Sequence, residues 1–251
     1  MKDIAYELMY ESEQNHWWDK ARRKIVFGLI KQYCHASVVK PKILDLGCGM
    51  GIMAKESESV GDYHGIDVSE RAVNFCRQRG VKNIRQGDAL HIPYPDGYFD
   101  IVLLMDVIEH IEDDSGVIAE ARRVLRPHGI VIITAPAFQF LWGSTDVTHQ
   151  HYRRYRLKEL KLKLKEENLS ILKASYLNTF LSLPIVFFRM AAKYLHLSMK
   201  SENELSRQMV NNIWVINKIF YIIFSMESIL LRYINFPFGI SVVVVGRKQD
   251  S

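Results

Sequence analysis

Two clusters of residues are built for chemistry. The first is Asp45-Leu46-Gly47-Cys48-Gly49-Met50-Gly51, in which glycines alternate directly after the apolar run Lys42-Ile43-Leu44. Glycine turns tightly and, lacking a Cβ, lets a ligand lie against the main chain. A helix-compatible stretch follows, and a helix N-terminus offers free N–H groups and partial positive charge to an anionic group. The spacing departs from G-x-G-x-x-G, so a nicotinamide fingerprint fits poorly. Asp67, at the end of a second apolar run, can accept both hydroxyls of a ribose; its plainer reading is a helix cap beside Ser69. Asp88, in Gly87-Asp88-Ala89, has a similar alternative as a local turn residue.

The second cluster lies in Trp142-Gly143-Ser144-Thr145-Asp146-Val147-Thr148-His149-Gln150-His151-Tyr152-Arg153-Arg154-Tyr155. An imidazole beside a carboxylate can act as a general base near neutral pH, which puts His151 and Asp146 forward as a catalytic pair. Guanidinium forks suit phosphate or carboxylate, so Arg154, with Tyr155, is expected to position a substrate. The competing reading is a structural network that ties the loop down. Glu109 and His110 read as a brace for the loop after a buried strand, and His110 is also counted among the substrate-facing residues. No cysteine or histidine spacing has a metal-binding pattern, and no metal is expected.

These residues need elements to hold them. Strands are expected at 42–46, 63–68, 83–86, 99–105, 130–134, 169–176 and 240–247, with helices at 69–79, 115–125 and 157–168 between them. Ser69 is the expected cap of the first of these helices and Gly80 its stop, while Arg126-Pro127-His128-Gly129 reads as the stop of the next. Alternating strands and helices mean an α/β fold with a parallel sheet and helices on both faces. Residues 135–155 read as a long functional loop. Residues 1–40 read as helices.

Residues 41–136 resemble class I S-adenosylmethionine (SAM)-dependent methyltransferases. The glycine segment matches the family's first motif, [LV]-[LV]-D-[LIV]-G-C-G-x-G, and Phe99-Asp100-Ile101-Val102 through Asp106-Val107-Ile108-Glu109-His110-Ile111 matches the pattern that surrounds its fourth strand. The resemblance implies a Rossmann-like, seven-stranded, mostly parallel sheet with a reversed last strand. It implies SAM as cofactor and S-adenosylhomocysteine as product, with Asp45, Gly47, Cys48, Gly49, Gly51, Asp67, Val68, Asp88, Ala89, Met105 and Asp106 around the cofactor. A subgroup with D-x4-H-x-R-R-Y after strand five resembles the chain over nearly its full length. It shares the aromatic-basic segment His16-Trp17-Trp18-Asp19-Lys20-Ala21-Arg22-Arg23 and the terminal Pro237-Phe238-Gly239-Ile240-Ser241. In related folds the N-terminal helices lid the cofactor, which places Trp18 and Arg22 over it; Trp17 and Trp18 as apolar anchors of the lid is the rival reading. Where family patterns have His-Asp, this chain has Thr145-Asp146.

The chain is thus expected to be one domain: a helical lid over 1–40, a cofactor core over 41–176, a helical cap over 177–238 and a final strand over 239–248. The cap, roughly Thr179–Leu197 and Leu205–Ile234, is strongly apolar, but Lys218 and Glu227 interrupt it and the chain must return to the sheet, so a membrane span fits poorly. Pocket cover, homodimer face and peripheral membrane contact, with Arg189, Lys193, Lys200, Arg207 and Lys218 at the headgroups, remain open. A net charge of +5 over 251 residues suits an anionic substrate or membrane surface and is too weak to argue for nucleic acid. Three scattered cysteines and no apolar leader point to the cytoplasm, at the inner face of a membrane if the cap docks there. The expected acceptor is a hydroxyl on a small molecule, glycan or lipid-linked sugar. A SAM-binding module without turnover is the rival, and a macromolecule methyltransferase a weaker one: base-modifying enzymes carry Asn-Pro-Pro-Tyr where this chain has Met105-Asp106-Val107-Ile108.

Overall fold

Apolar strands and amphipathic helices alternate along the chain, and in the computed structural model they assemble into a seven-stranded sheet. The structure describes residues 10–11, 13–34, 39–194 and 214–250. Helix α1 (Trp17–Tyr33) precedes β1 (Lys42–Leu46), α2 (Ala54–Val60), β2 (Asp62–Asp67), α3 (Glu70–Gln78), β3 (Ile84–Gln86) and β4 (Phe99–Met105). Then come α4 (Asp114–Val124), β5 (Leu125–Pro136), the short α5 (Ser144–Thr148), α6 (Leu157–Glu166), β6 (Leu169–Leu177), α7 (Ser182–Tyr194), α8 (Trp214–Leu230) and β7 (Ser241–Lys248). The strand order is β3-β2-β1-β4-β5-β7-β6. Strands β1 to β5 pair in parallel, while β7 runs antiparallel to both β5 and β6. Every residue of β4 is buried, as a central strand covered on both faces requires. Ser69 caps α3 by accepting from the Ala72 N–H at 3.3 Å.

Two segments depart from expectation. Helix α4 stops at Val124, just before Arg126-Pro127-His128-Gly129 as expected, but strand β5 already begins at Leu125, and those four residues bulge out between the pairs Phe99↔Leu125 and Ile101↔Ile130. Arg126 holds the bulge by donating to Asp100 at 3.0 Å, and His128 takes φ +64°. Residues 135–155 are shorter on loop than expected, carrying a 3-10 turn at Gln139–Leu141 and helix α5.

The lid and the cap pack on each other. Trp17 sets its ring edge-on to Phe220 and Phe224, and Trp18 stacks on Phe224 with centroids 4.9 Å apart. Asn217 of α8 accepts from the Trp17 N–H at 2.7 Å and donates to the Asn15 carbonyl at 2.9 Å. No helix among the described residues is long and apolar enough to cross a membrane. Lys200, Arg207 and most of the helix expected before Asn15 lie outside the described residues, as do the side chains of Arg189 and Lys193.

Glu227 of α8 is fully buried, its Oε1 accepting from the Phe180 N–H at 3.0 Å. Burial pushes its carboxyl up to about 7 from 4.5. A folded pKa above the unfolded one means the native state holds the proton more tightly. Stability from this group is therefore lost as pH rises between these two values, by about 3 kcal/mol in full. Glu227→Gln removes the titration and is expected to flatten the decline in melting temperature between roughly pH 5 and pH 8. Parallel decline in variant and parent, followed by calorimetry, would refute this.

Candidate functional site

In a sheet of this order ligands lie beyond the carboxyl ends of the strands, near the switch between β1 and β4. The turn after β1 is held there by two bonds to β2: the N–H groups of Gly47 and Cys48 both donate to the Ile66 carbonyl, at 2.8 and 3.0 Å. Gly47, Gly49 and Gly51 all have positive φ. At Gly47 a Cβ would sit 2.5 Å from Val107, so glycine is a packing requirement there. At Gly49 a Cβ would meet no atom within 4 Å, and the turn is open to a ligand.

Asp67 is half-buried beside this opening. One carboxylate oxygen accepts from the Gly49 N–H and the other from the Ser69 N–H, both at 2.8 Å. A carboxylate has about four lone-pair positions, so two remain for a diol. Val68 next to it is 76% exposed, an apolar side chain at the mouth of the turn. Asp88 is exposed and caps the Leu90 N–H at 2.9 Å, with Ala89 half-buried beside it. Met105 is buried; Asp106 follows it at φ +57°, accepts from the Thr134 hydroxyl at 2.9 Å and pairs with Arg22 of the lid. Arg22 also reaches Asp19 at 3.3 Å, and its Nε is buried without a partner among the described residues.

Two residues expected at the cofactor point elsewhere. Asp45 is 2% exposed and accepts from the Tyr63 hydroxyl at 2.9 Å; burial raises its carboxyl to about 7. Cys48 is buried beneath the turn beside Cys76, whose Sγ lies 3.3 Å from the Gly49 carbonyl. Both side chains support the turn from below, and only their main chain shares its ligand face.

The loop after β5 folds around Asp146, which is fully buried. Its carboxylate accepts from Arg154 Nε at 2.8 Å and Nη2 at 3.0 Å, and from the Gly143 N–H at 2.8 Å. His151 Nδ1 lies 2.9 Å from Asp146 Oδ1. Burial works to raise the Asp146 carboxyl, but the His151, Arg154 and Gly143 bonds hold it well below the usual range. This corrects two expectations. Arg154 is 8% exposed and its fork is spent on Asp146 and the Ala137 carbonyl, so it is no free acceptor clamp. Tyr155 is 2% exposed and donates to Asp114 at 2.9 Å, where Lys163 and Arg153 also converge. Arg154 and Tyr155 brace the loop because a carboxylate and a guanidinium can be buried only when they neutralise each other.

His151 instead faces His110, their rings perpendicular with centroids 4.6 Å apart. His110 is exposed; burial of its neighbourhood and the nearby His151 lower its pKa, against a hydrogen bond to the His149 main chain. Glu109 is 1% exposed, and its carboxyl is raised well above the usual range by burial and then by Asp106. Glu109, His110 and His151 can each offer a ligand atom, all within 4.8 Å of one another. The expectation of no metal rested on spacing within the chain, and this grouping is made by two loops that only the fold brings together. Thr134, Asp114 and Phe224 also escaped the sequence reading, each having a partner on a remote element and no local signature.

A family model described as a methyltransferase domain matches residues 44–133. Over 141 residues the chain is 36% identical to the 27-O-demethylrifamycin SV methyltransferase of Amycolatopsis mediterranei, covering 51% of this chain and 52% of that one. Over 144 residues it is 33% identical to the ubiquinone biosynthesis O-methyltransferase of Thiobacillus denitrificans, covering 52% of this chain and 62% of that one. The chain therefore spans less than two thirds of either relative. The crystal structure of a SAM-dependent methyltransferase from Archaeoglobus fulgidus superposes with a TM-score of 0.57 at 18% identity, covering 90% of this chain and 94% of that one, a likeness of fold.

Proposed function

We propose that this class I SAM-dependent methyltransferase domain transfers a methyl group to a hydroxyl of an apolar small molecule or lipid-linked sugar. The observation that supports the reading is that the open Gly49 turn with Asp67 and the Asp146-oriented His151 follow β1, β2 and β5, at the same carboxyl end of the parallel strands. SAM, when bound, supplies a methyl already activated by its sulfonium; the protein has to hold it, align the acceptor and take a proton. Asp67 holds the ribose, Val68 and Ala89 flank the adenine, and Asp88 receives its amino group. Met105 and Asp106 wall the methyl, and Arg22, with its spare Nε, meets the cofactor's carboxylate. Trp18 acts by closing the lid through Phe224. His151 takes the acceptor's proton.

A hydroxyl acceptor is supported by the two relatives whose names specify O-methylation. An apolar acceptor is supported by the exposed side chains of α7 and α8, among them Leu183, Phe187, Trp214 and Ile222. The test is titration with SAM by calorimetry, then S-adenosylhomocysteine release with a panel of hydroxylated lipid-linked and small apolar acceptors. Acceptor-dependent release is the expected result. Binding without release from any acceptor favours a SAM-binding module, and absence of SAM binding overturns the reading.

A further inference from the structure

We propose that Glu109, His110 and His151 bind a divalent first-row transition ion of the zinc type. Zinc bonds to nitrogen and carboxylate oxygen are about 2.0–2.2 Å long. Donor atoms that already lie within 4.8 Å of one another surround such an ion after small side-chain rotations. The second observation is Glu109 Oε2, buried with no hydrogen-bond partner among the described residues. A buried carboxyl oxygen without a partner costs free energy, which either a proton or a cation on that oxygen relieves. The nearby guanidiniums bond to other carboxylates, Arg22 to Asp106 and Asp19 and Arg154 to Asp146, and none of these bonds reaches Glu109.

The surroundings have the outer shell that metal-binding histidines require. A ligating imidazole normally gives its other ring N–H to a carboxylate or a carbonyl, which fixes its tautomer and aim. His151 Nδ1 is held by Asp146, leaving Nε2 for the ion. His110 is hydrogen-bonded by the His149 main chain. Two imidazoles and one carboxylate select zinc, cobalt, iron or manganese over magnesium or calcium, which prefer oxygen ligands throughout. Three protein ligands leave a position open to water or to an oxygen of the acceptor. This last role rests on the methyltransferase reading; the ion site itself does not. An ion on His151 Nε2 excludes a proton there, so ion and base alternate on one nitrogen.

The test uses tag-free full-length protein, stripped with a chelator and titrated with Co²⁺ by visible absorption and with Zn²⁺ against a chromophoric chelator. SAM affinity is measured alongside by calorimetry. One Co²⁺ per chain is expected, with a ligand-field band of low coordination number. His110→Ala, at an exposed position, and Glu109→Gln, nearly isosteric, are each expected to weaken the ion at least tenfold, with SAM affinity kept in His110→Ala. Folded, SAM-binding protein that takes up no stoichiometric ion overturns the site and leaves the methyltransferase reading standing. Unchanged ion affinity in both variants overturns it too. Ion binding by protein that fails to bind SAM upholds the site and removes the methyltransferase reading.

Discussion

Asp67→Ala is expected to weaken SAM binding by about two to four orders of magnitude. Two ribose hydroxyls would donate to one ionised carboxylate, and each such bond is worth on the order of 1.5–3 kcal/mol. The geometry adds a second loss. The same carboxylate fixes the Gly49 and Ser69 N–H groups, so its removal also frees the turn against which the ligand lies. Asp67→Asn is the useful companion, because one amide oxygen can still accept from the turn while the negative charge is gone. Calorimetric titration of both, with a melting curve to show that they fold, checks the expectation. Unchanged affinity in a folded Asp67→Ala protein would rule out the ribose role.

The two half-sites were legible in the sequence to different depths, for a physical reason. The proposed cofactor side is local: the glycine turn, Asp67 and the ends of β1, β2 and β4 are each set by a short stretch, with strand and turn signals adjacent. Strand β1 therefore falls at Lys42–Leu46 and β4 at Phe99–Met105, both as expected. Even there, residue type put Asp45 at the cofactor without showing that it faces Tyr63 and the core. The proposed acceptor side is non-local. A loop rich in His, Asp, Arg and Tyr reads alike whether its charges face a ligand or each other. Only the fold decides that Arg154 and Tyr155 turn inward to Asp146 and Asp114 while His151 meets His110. The bulge that carries Arg126–Gly129 into β5 was hidden similarly: Pro and Gly after a helix read as a stop, and the Asp100 partner that holds them in the sheet comes from another strand.

His151→Ala should lower turnover by roughly 10²–10⁴-fold, the usual cost of losing a general base, with SAM affinity kept. The structure makes this a cleaner substitution than its neighbours. Removing the imidazole leaves Asp146 still neutralised by both bonds from Arg154 and still capped by the Gly143 N–H. The loop thus keeps its charge balance, and the Asp67 turn lies on other strands. Asp146→Ala is the opposite case. It strands the Arg154 guanidinium in the interior, and breaking a buried pair in this way costs about 3–5 kcal/mol, so lost activity there would report on folding. His149 and His110 stand as alternative imidazoles, the latter with its ring against His151. The measurement is therefore turnover and SAM affinity in His151→Ala, His110→Ala and His149→Ala, assayed in chelated buffer so that an ion cannot account for the difference. A fall confined to His151→Ala, with affinity kept, assigns the proton to this residue. Near-normal turnover removes the base role and leaves alignment of the acceptor against the sulfonium as the source of the rate.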